Sequence, residues 1–220
     1  MELAWCAYVT EEQYSNILEK YPSIQEEIRG KTITEEAHRI ICYTQIITDV
    51  PGFHKDLEKY EIYNGNLDKA SFETVVLERF GKWNGEGQIF ECSIFQNIME
   101  NQMLYLQMTE DEILDFYRRL KEVLAGKSFR IIYLDVKDIE ETIAVIRKER
   151  SDKDGKELWF PLMLRYLEES PYGREHRLAG LTGLLTHLKE RRALEHRIME
   201  KVFPENAVIL KAKNYGGTVQ

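Results

Sequence analysis

The sequence predicts a helix-rich α/β fold in which short apolar strands alternate with long amphipathic helices. The clearest strand, Phe129–Asp135, is β-branched and apolar at successive positions, which is typical of a strand buried on both faces of a parallel sheet. Long segments between the apolar runs repeat their apolar residues with a period near 3.6 and often begin with capping residues. Strands that alternate with helices favour a parallel sheet between two helical layers, a three-layer α/β/α arrangement.

The N-terminal part of the chain is predicted to be mostly helical. Thr10 and Ser23 each precede a Gln or Glu by three residues, and this capping-box pattern predicts a short helix after each hydroxyl. A further helix is expected from Thr34 to Ile47, because its apolar residues fall at helical spacing and Pro51 follows it. Two more helices joined by a turn are expected within residues 53–86, a segment rich in aromatic side chains.

Strands and helices alternate more regularly in the rest of the chain. The apolar run Gln88–Glu91 predicts a strand, and the periodic pattern after it predicts a helix from Ser93 to about Gln107. Thr109 begins another capping box, and Gly126 ends the helix that follows. The remaining expected elements are helices from about Asp138 to Arg150, up to Glu169 and from about Thr182 to Val202, and a final strand over 206–210.

The charged and histidine side chains of the last helix are expected to be solvated: His187, Glu190, Glu195, His196 and Glu200.

Composition and charge predict a soluble, cytoplasmic protein that binds neither nucleic acid nor membranes. The 220 residues are 43% hydrophobic and 31% charged, and 30 Lys and Arg against 38 Asp and Glu give a net charge of −8, which repels polyanions. No window approaches the roughly 18 apolar residues of a membrane span. Cys6, Cys42 and Cys92 lack the spacing of a metal site, so they are expected to be buried thiols in a reducing compartment.

Two predicted strands end in an acid, which points to a ligand site at one edge of the sheet. Glu91 and Asp135 occupy these positions, and ligands of open α/β sheets bind beyond the carboxyl ends of the strands. An acid followed by Ser93 at a helix start could hold Mg²⁺, or its waters, over the phosphates of a nucleotide. A cap is the alternative, in which Glu91 accepts from the backbone N–H groups of the next helix.

Basic side chains follow the second of these strands after one helix. Arg147 and Arg150 end that helix, and the loop after it contains Lys153 and Lys156 beside a glycine. Guanidinium groups on a mobile loop can close over a transferring phosphoryl group and stabilise its charge. The alternative is a solvated helix C-terminus, where cations are favoured by the helix dipole.

Taken together, three segments resemble the later half of the P-loop kinases of the deoxynucleoside and thymidylate kinase type. They are Phe90-Glu91-Cys92-Ser93, Ile131–Asp135 and Arg147-Lys148-Glu149-Arg150. In that family a strand ends in Glu-Arg-Ser, a later strand reads Ile-Tyr-Leu, and an arginine-rich lid follows the next helix. The resemblance covers roughly residues 88–210 and implies the fold of the P-loop NTPase superfamily.

The resemblance also implies an ATP- and Mg²⁺-dependent phosphotransferase. Glu91 would hold Mg²⁺ through water, and Ser93 would be the motif serine. Arg147 and Arg150 would be the lid arginines that close over the γ-phosphoryl group, with Lys153 also at the nucleotide. The implied partners are a nucleotide and a small-molecule acceptor that the sequence does not identify, and the pattern specifies no oligomeric state.

The expected domain organisation follows from this resemblance. A single α/β domain spans 1–220, with a helical acceptor-side insertion at 53–86 and a lid region at 147–180. Aromatic side chains in the insertion could stack on a planar acceptor, or could form the core of a small helical subdomain.

The chain departs from the family pattern at the phosphate-binding loop. Cys92 replaces the arginine of Glu-Arg-Ser, and no Walker A sequence is present. The nearest imitation, Gly30-Lys31-Thr32, lacks the first glycine and a preceding predicted strand. Because the family begins with that strand and loop, the chain is interpreted as N-terminally incomplete, which would explain why an apolar stretch begins beside Met1.

The missing loop leaves two functional alternatives. As a kinase-like protein, the chain is expected to be inactive as it stands and to bind Mg-ATP weakly or not at all. The other is a non-catalytic, helical interaction module in which Glu91 is a cap and the basic lid is a surface loop.

Overall fold

The computed structural model describes residues 5–35, 37–84 and 87–212. The chain divides into two compact units, Met1–Asn101 and Gln102–Gln220, and each is described by itself. The fold is mixed α/β and rich in helix, with two small sheets formed by the described residues. The expected single domain over 1–220, with its insertion at 53–86 and lid region at 147–180, stays a prediction.

The sheet of the first unit is antiparallel, and its strand order is β1-β3-β2. Its strands are β1 (Ala7–Thr10), β2 (Thr32–Thr34) and β3 (His38–Ile41). The helix expected from Thr34 to Ile47 is therefore wrong, since β3 and a 3₁₀ turn at Tyr43–Gln45 occupy much of it. Pairing between two neighbours buries Ile40 and Ile41 completely, and β-branched residues suit this pleated, enclosed position.

Short helices complete the first unit. They are α1 (Glu11–Lys20), α2 (Gln25–Gly30), α3 (Phe53–Glu58), α4 (Lys69–Lys82) and α5 (Gln96–Glu100). The capping box at Thr10 is confirmed. The Gln13 backbone N–H donates to the Thr10 hydroxyl, and the Thr10 backbone N–H donates to the Gln13 side-chain oxygen. Ser23 is no cap, since it lies in a 3₁₀ turn and α2 begins after Ile24 without a side-chain cap.

The strand expected over Gln88–Glu91 is wrong. These residues form no strand, and the side chain of Ile89 is 97% exposed. A strand needs a hydrogen-bonded neighbour, and this segment instead meets Trp83, whose indole N–H donates to Gln88 Oε1 at 2.9 Å. The following helix is also shorter than expected, because α5 begins at Gln96 and continues into a π-helical turn, Asn101–Tyr105.

The second unit follows the predicted order of elements closely. It contains α6 (Glu110–Val123), β4 (Ile131–Asp135), α7 (Ile139–Glu149), α8 (Trp159–Glu169), α9 (Pro171–Glu175), α10 (Gly180–Lys201) and β5 (Ala207–Lys211). β4 and β5 form a two-stranded parallel sheet, in register from Ile131 opposite Ala207 to Asp135 opposite Lys211. The capping box at Thr109 is confirmed at the start of α6.

The two faces of the parallel sheet differ in burial. Tyr133 and Asp135 point to one face, where both meet side chains of α10. Ile132 and Leu134 point to the other face and are 53% and 62% exposed, so the strand is not buried on both faces as expected.

Within the described ranges, no helix has the length and apolar character needed to cross a membrane.

Candidate functional site

The basic segment after α7 forms an open cleft of about 440 Å³. Asp138 starts α7 as its N-cap by accepting the Glu141 backbone N–H at 3.0 Å, so the basic residues fall in the last turn, where the helix dipole favours them. The cleft is lined by Ala144, Arg147, Lys148, Ser151, Asp152, Lys153, Gly155 and Glu157.

The loop beside the cleft is ordered by its own hydrogen bonds. The Asp152 carboxylate accepts the backbone N–H groups of Asp154 and Lys156, each at 2.9 Å. Gly155 has a φ of +79°, a left-handed conformation that glycine adopts without strain. Ser151 and Glu157 form a β-bridge, which closes the loop against the end of α7. The loop therefore has a defined shape in which Glu157 faces the arginine of the last helical turn.

Arg147 is held by an ion pair and by an aromatic ring. Its Nε and Nη2 atoms donate to the two Glu157 carboxylate oxygens at 2.9 and 3.2 Å, and its guanidinium lies 4.0 Å from the centroid of the Phe160 ring. Arg150 is exposed and stacks over the Trp159 ring at 5.0 Å, outside the residues that line the cleft. The structure thus brings Arg147 and Lys153 together in one cleft, with Arg150 next to it.

Glu91 and Ser93 lie in the first unit, so neither unit by itself holds all five predicted site residues. Glu91 is exposed and does not end a strand, since the segment before it is not a strand. The alternative cap role is also wrong, because Phe95 occupies the N-cap position of α5 and no side-chain hydrogen bond caps that helix. Among the residues that the structure describes, no group of three or more His, Cys, Asp or Glu side chains could hold a metal ion.

The acid at the end of β4 faces an arginine and a histidine of α10. Arg192 donates two hydrogen bonds to the Asp135 carboxylate, at 2.6 and 2.7 Å, and His196 Nε2 lies 3.4 Å from it. The hydrogen bonds from Arg192 lower the pKa of Asp135 below its usual range. The expected solvated face of this helix is wrong at His187 and Glu195, which are 1% and 3% exposed.

A second group of polar side chains lies in the first unit, and the sequence did not reveal it. Cys6 directly precedes β1 and Cys42 directly follows β3, so the pairing of Ala7 with Ile41 places the two cysteines opposite each other. The Cys6 thiol donates a hydrogen bond to the Cys42 sulfur over 3.6 Å. That bond, together with the charges of Arg79 and Lys31, lowers the pKa of Cys42 to about 7 despite partial burial.

A buried carboxyl lies beside this cysteine pair. Glu61 is 3% exposed, and its residue forms a β-bridge with Ala7, the neighbour of Cys6. Burial raises the pKa of Glu61 to about 7, although hydrogen bonds from the Tyr43 hydroxyl and from the backbone of Trp5 and Cys6 favour the charged form. Titratable groups with shifted pKa values concentrate at functional sites, which makes this cluster a second candidate.

Comparisons with known proteins add no assignment to these two sites. The chain matches no protein-family model, no curated protein and no solved structure.

Proposed function

We propose that the second unit binds a phosphorylated small molecule, above all a nucleoside triphosphate, in the cleft between α7 and the 151–157 loop. The observation that supports this is the placement of Arg147, Lys148 and Lys153 around one cleft, in a chain whose net charge is −8. Basic side chains at the end of a helix and on the ordered, glycine-containing loop after it suit phosphate oxygens, and Arg147 is already set in a defined orientation.

The larger proposal is a kinase-like phosphotransferase of the P-loop type with the corresponding three-layer fold, located in the cytoplasm. The order β4, α7 and basic loop supports it, because the resembled family has its lid after that strand and helix. Glu91 would hold Mg²⁺ through water and Ser93 would face the nucleotide. Arg147 and Arg150 would stabilise the charge of the transferring group, and residues 53–86 would hold the acceptor.

A binding titration tests the cleft. Calorimetry with inorganic triphosphate and with Mg-ATP, at low salt, should show millimolar to submillimolar binding that weakens as salt rises. The Arg147→Gln and Lys153→Gln variants should each weaken it by about threefold to tenfold, whereas Arg118→Gln, which removes an exposed charge of α6, should not. Loss that is equal in all three variants would contradict a site at the cleft.

The absence of a Walker A sequence limits the expected affinity. Without that loop, Mg-ATP should bind this chain with a dissociation constant above about 100 μM, and tighter binding would show that the missing-loop interpretation is wrong. Because the chain as it stands is expected to be inactive, the phosphotransferase is tested in a version supplied with an N-terminal Walker A segment, in which Glu91→Gln and Arg150→Ala should each lower the rate of ATP hydrolysis.

The second candidate function is a non-catalytic helical interaction module. The exposed aliphatic side chains of Ile132 and Leu134 on β4 favour it, because soluble proteins seldom leave clustered apolar residues uncovered without a use. If the chain is such a module, Glu91→Gln and Arg150→Ala should leave the rate of ATP hydrolysis unchanged. A Leu134→Ser variant would then change the sedimentation behaviour of the protein, and Arg147→Gln would not.

A further inference from the structure

The cysteine pair of the first unit has the geometry of a disulfide that has not yet formed. Cys6 and Cys42 extend the antiparallel register of β1 and β3 by one position, and opposite residues in such a pair have Cα atoms about 4.5–5.5 Å apart. Disulfides join Cα atoms about 4.4–6.8 Å apart. With the two sulfurs at 3.6 Å, a bond needs side-chain rotation and little movement of the backbone.

The two thiols differ in access. Cys6 is 4% exposed, whereas Cys42 is partly exposed, so a small oxidant reaches Cys42 first. The backbone N–H of Cys42 donates to the Lys31 carbonyl at 2.9 Å, which fixes the cysteine at the end of β3. The third cysteine, Cys92, is exposed, and its thiol donates to Gln96 Oε1 at 3.2 Å rather than to another sulfur.

We propose that Cys6 and Cys42 form a peroxide-reactive thiol pair, in which Cys42 is oxidised and Cys6 resolves the product as a reversible disulfide. The Cys42 thiolate attacks one oxygen of hydrogen peroxide, the O–O bond breaks, and Cys42 sulfenic acid and hydroxide form. The Cys6 sulfur then attacks the Cys42 sulfur, and the S–O bond breaks. The Cys6 proton and the departing hydroxyl leave as water. In sum, two thiols are oxidised and one peroxide is reduced to two waters.

The surroundings of Cys42 favour this chemistry. The thiolate is the reactive form, and the pKa of Cys42 near 7 places a large share of it in that form at neutral pH. The charges of Arg79 and Lys31 support the thiolate, although Arg79 is also paired with the Glu35 carboxylate at 3.0 Å. This site belongs to the first unit and uses none of the residues of the proposed phosphate cleft.

Thiol counting on the unaltered protein tests the proposal directly. The full chain is treated with a small excess of hydrogen peroxide, denatured, and assayed for reactive thiols with a chromogenic disulfide. The count should fall from three to one, and dithiothreitol should restore it to three. Peptide mapping should find the peptides of Cys6 and Cys42 linked with the loss of two hydrogens. Three remaining thiols, or linkage through Cys92 between chains, would overturn the proposal.

Variants then assign the two roles. Cys6→Ser should let Cys42 stop at sulfenic acid, which dimedone traps, and Cys42→Ser should leave Cys6 reduced. Cys92→Ser is the matched control, and the link between Cys6 and Cys42 should form in it at the wild-type rate. A link that depends on Cys92, or dimedone labelling confined to Cys6, would contradict the assignment. Because the thiol count uses the wild-type chain, poor folding of a variant does not remove the test.

Discussion

The hydroxyl of Tyr43 donates a 2.6 Å hydrogen bond to the buried carboxylate of Glu61. Tyr43 lies in the turn that follows β3, and Glu61 pairs with the strand that begins beside Cys6. Burial and the carboxylate raise the pKa of Tyr43 far above its usual range, so its proton stays in place as the donor at any ordinary pH. The carboxyl is therefore the group of this pair that titrates.

Stability should fall as pH rises from about 4.5 to about 7. Over this interval native Glu61 keeps a proton that the unfolded chain has lost, because its pKa is raised from 4.5 to about 7. The free energy of unfolding should drop by up to about 3 kcal/mol and then level off. Urea unfolding of the wild type and of Glu61→Gln at pH 5 and pH 7.5 measures this. The difference between the wild type and Glu61→Gln should change with pH, and a constant difference would contradict the titration of Glu61 in this range.

The ion pair between Asp135 and Arg192 should matter more than an exposed pair in the same unit. Asp135→Asn should cost about 1–3 kcal/mol of unfolding free energy at neutral pH, because Arg192 then loses its charged partner on a half-buried surface. Arg197→Gln, which breaks the more exposed pair with Glu110, should cost less than about 1 kcal/mol. Urea unfolding of both variants checks the order, and equal losses would contradict it.

This pair also has a predicted pH dependence. The pKa of Asp135 is lowered from 3.8, so its contribution is fully present above that value and is lost as pH falls through the lower native pKa. The stability difference between the wild type and Asp135→Asn should therefore shrink below about pH 4. A constant difference down to pH 2 would show that the charge of Asp135 does not stabilise the fold.

Local interactions explain which parts of the fold were predictable from the sequence. The capping boxes at Thr10 and Thr109 involve residues three apart, and both are present as predicted. The strand Ile131–Asp135 was predictable because its β-branched run pairs with an equally apolar segment. Gln88–Glu91 has a similar apolar run, but none of the strands in the described part of the chain pairs with it.

The candidate sites depend on contacts that are distant in the sequence. Cys6 and Cys42 are opposite each other only through the register of β1 with β3, and β3 lies where helical spacing predicted a helix. The cleft was easier to anticipate, because Arg147 and Lys153 are close in the chain. The ion pair between Arg147 and Glu157 was missed, because the turn at Gly155 that brings these two side chains together has no helical or strand periodicity.

Gly173 should not tolerate a side chain. Gly173 is buried in the first turn of α9, and a Cβ atom there would lie 1.9 Å from the Leu167 carbonyl oxygen and 2.9 Å from Ser170 Oγ. Gly173→Ala should therefore lower the free energy of unfolding by about 1–3 kcal/mol or more. Gly30→Ala is the matched control, because apart from its chain neighbours and its own helix backbone nothing lies within 4 Å of its Cβ position, and alanine favours a helix. Urea midpoints check both, and a neutral Gly173→Ala would contradict the close approach.

Removing the carboxylate that faces Arg147 should strengthen binding in the proposed cleft. Glu157 occupies Nε and Nη2 of the arginine, so a phosphate oxygen must compete with it for the same donors. Glu157→Gln should tighten binding of inorganic triphosphate by about threefold to tenfold in low-salt calorimetry. Glu149→Gln changes the net charge equally at an exposed position outside the cleft lining, and its affinity should stay within about twofold of the wild type. An equal gain in affinity in Glu157→Gln and Glu149→Gln would show that the effect comes from long-range charge and not from competition for Arg147. Weaker binding in Glu157→Gln would show that the ion pair shapes the cleft rather than competing for it.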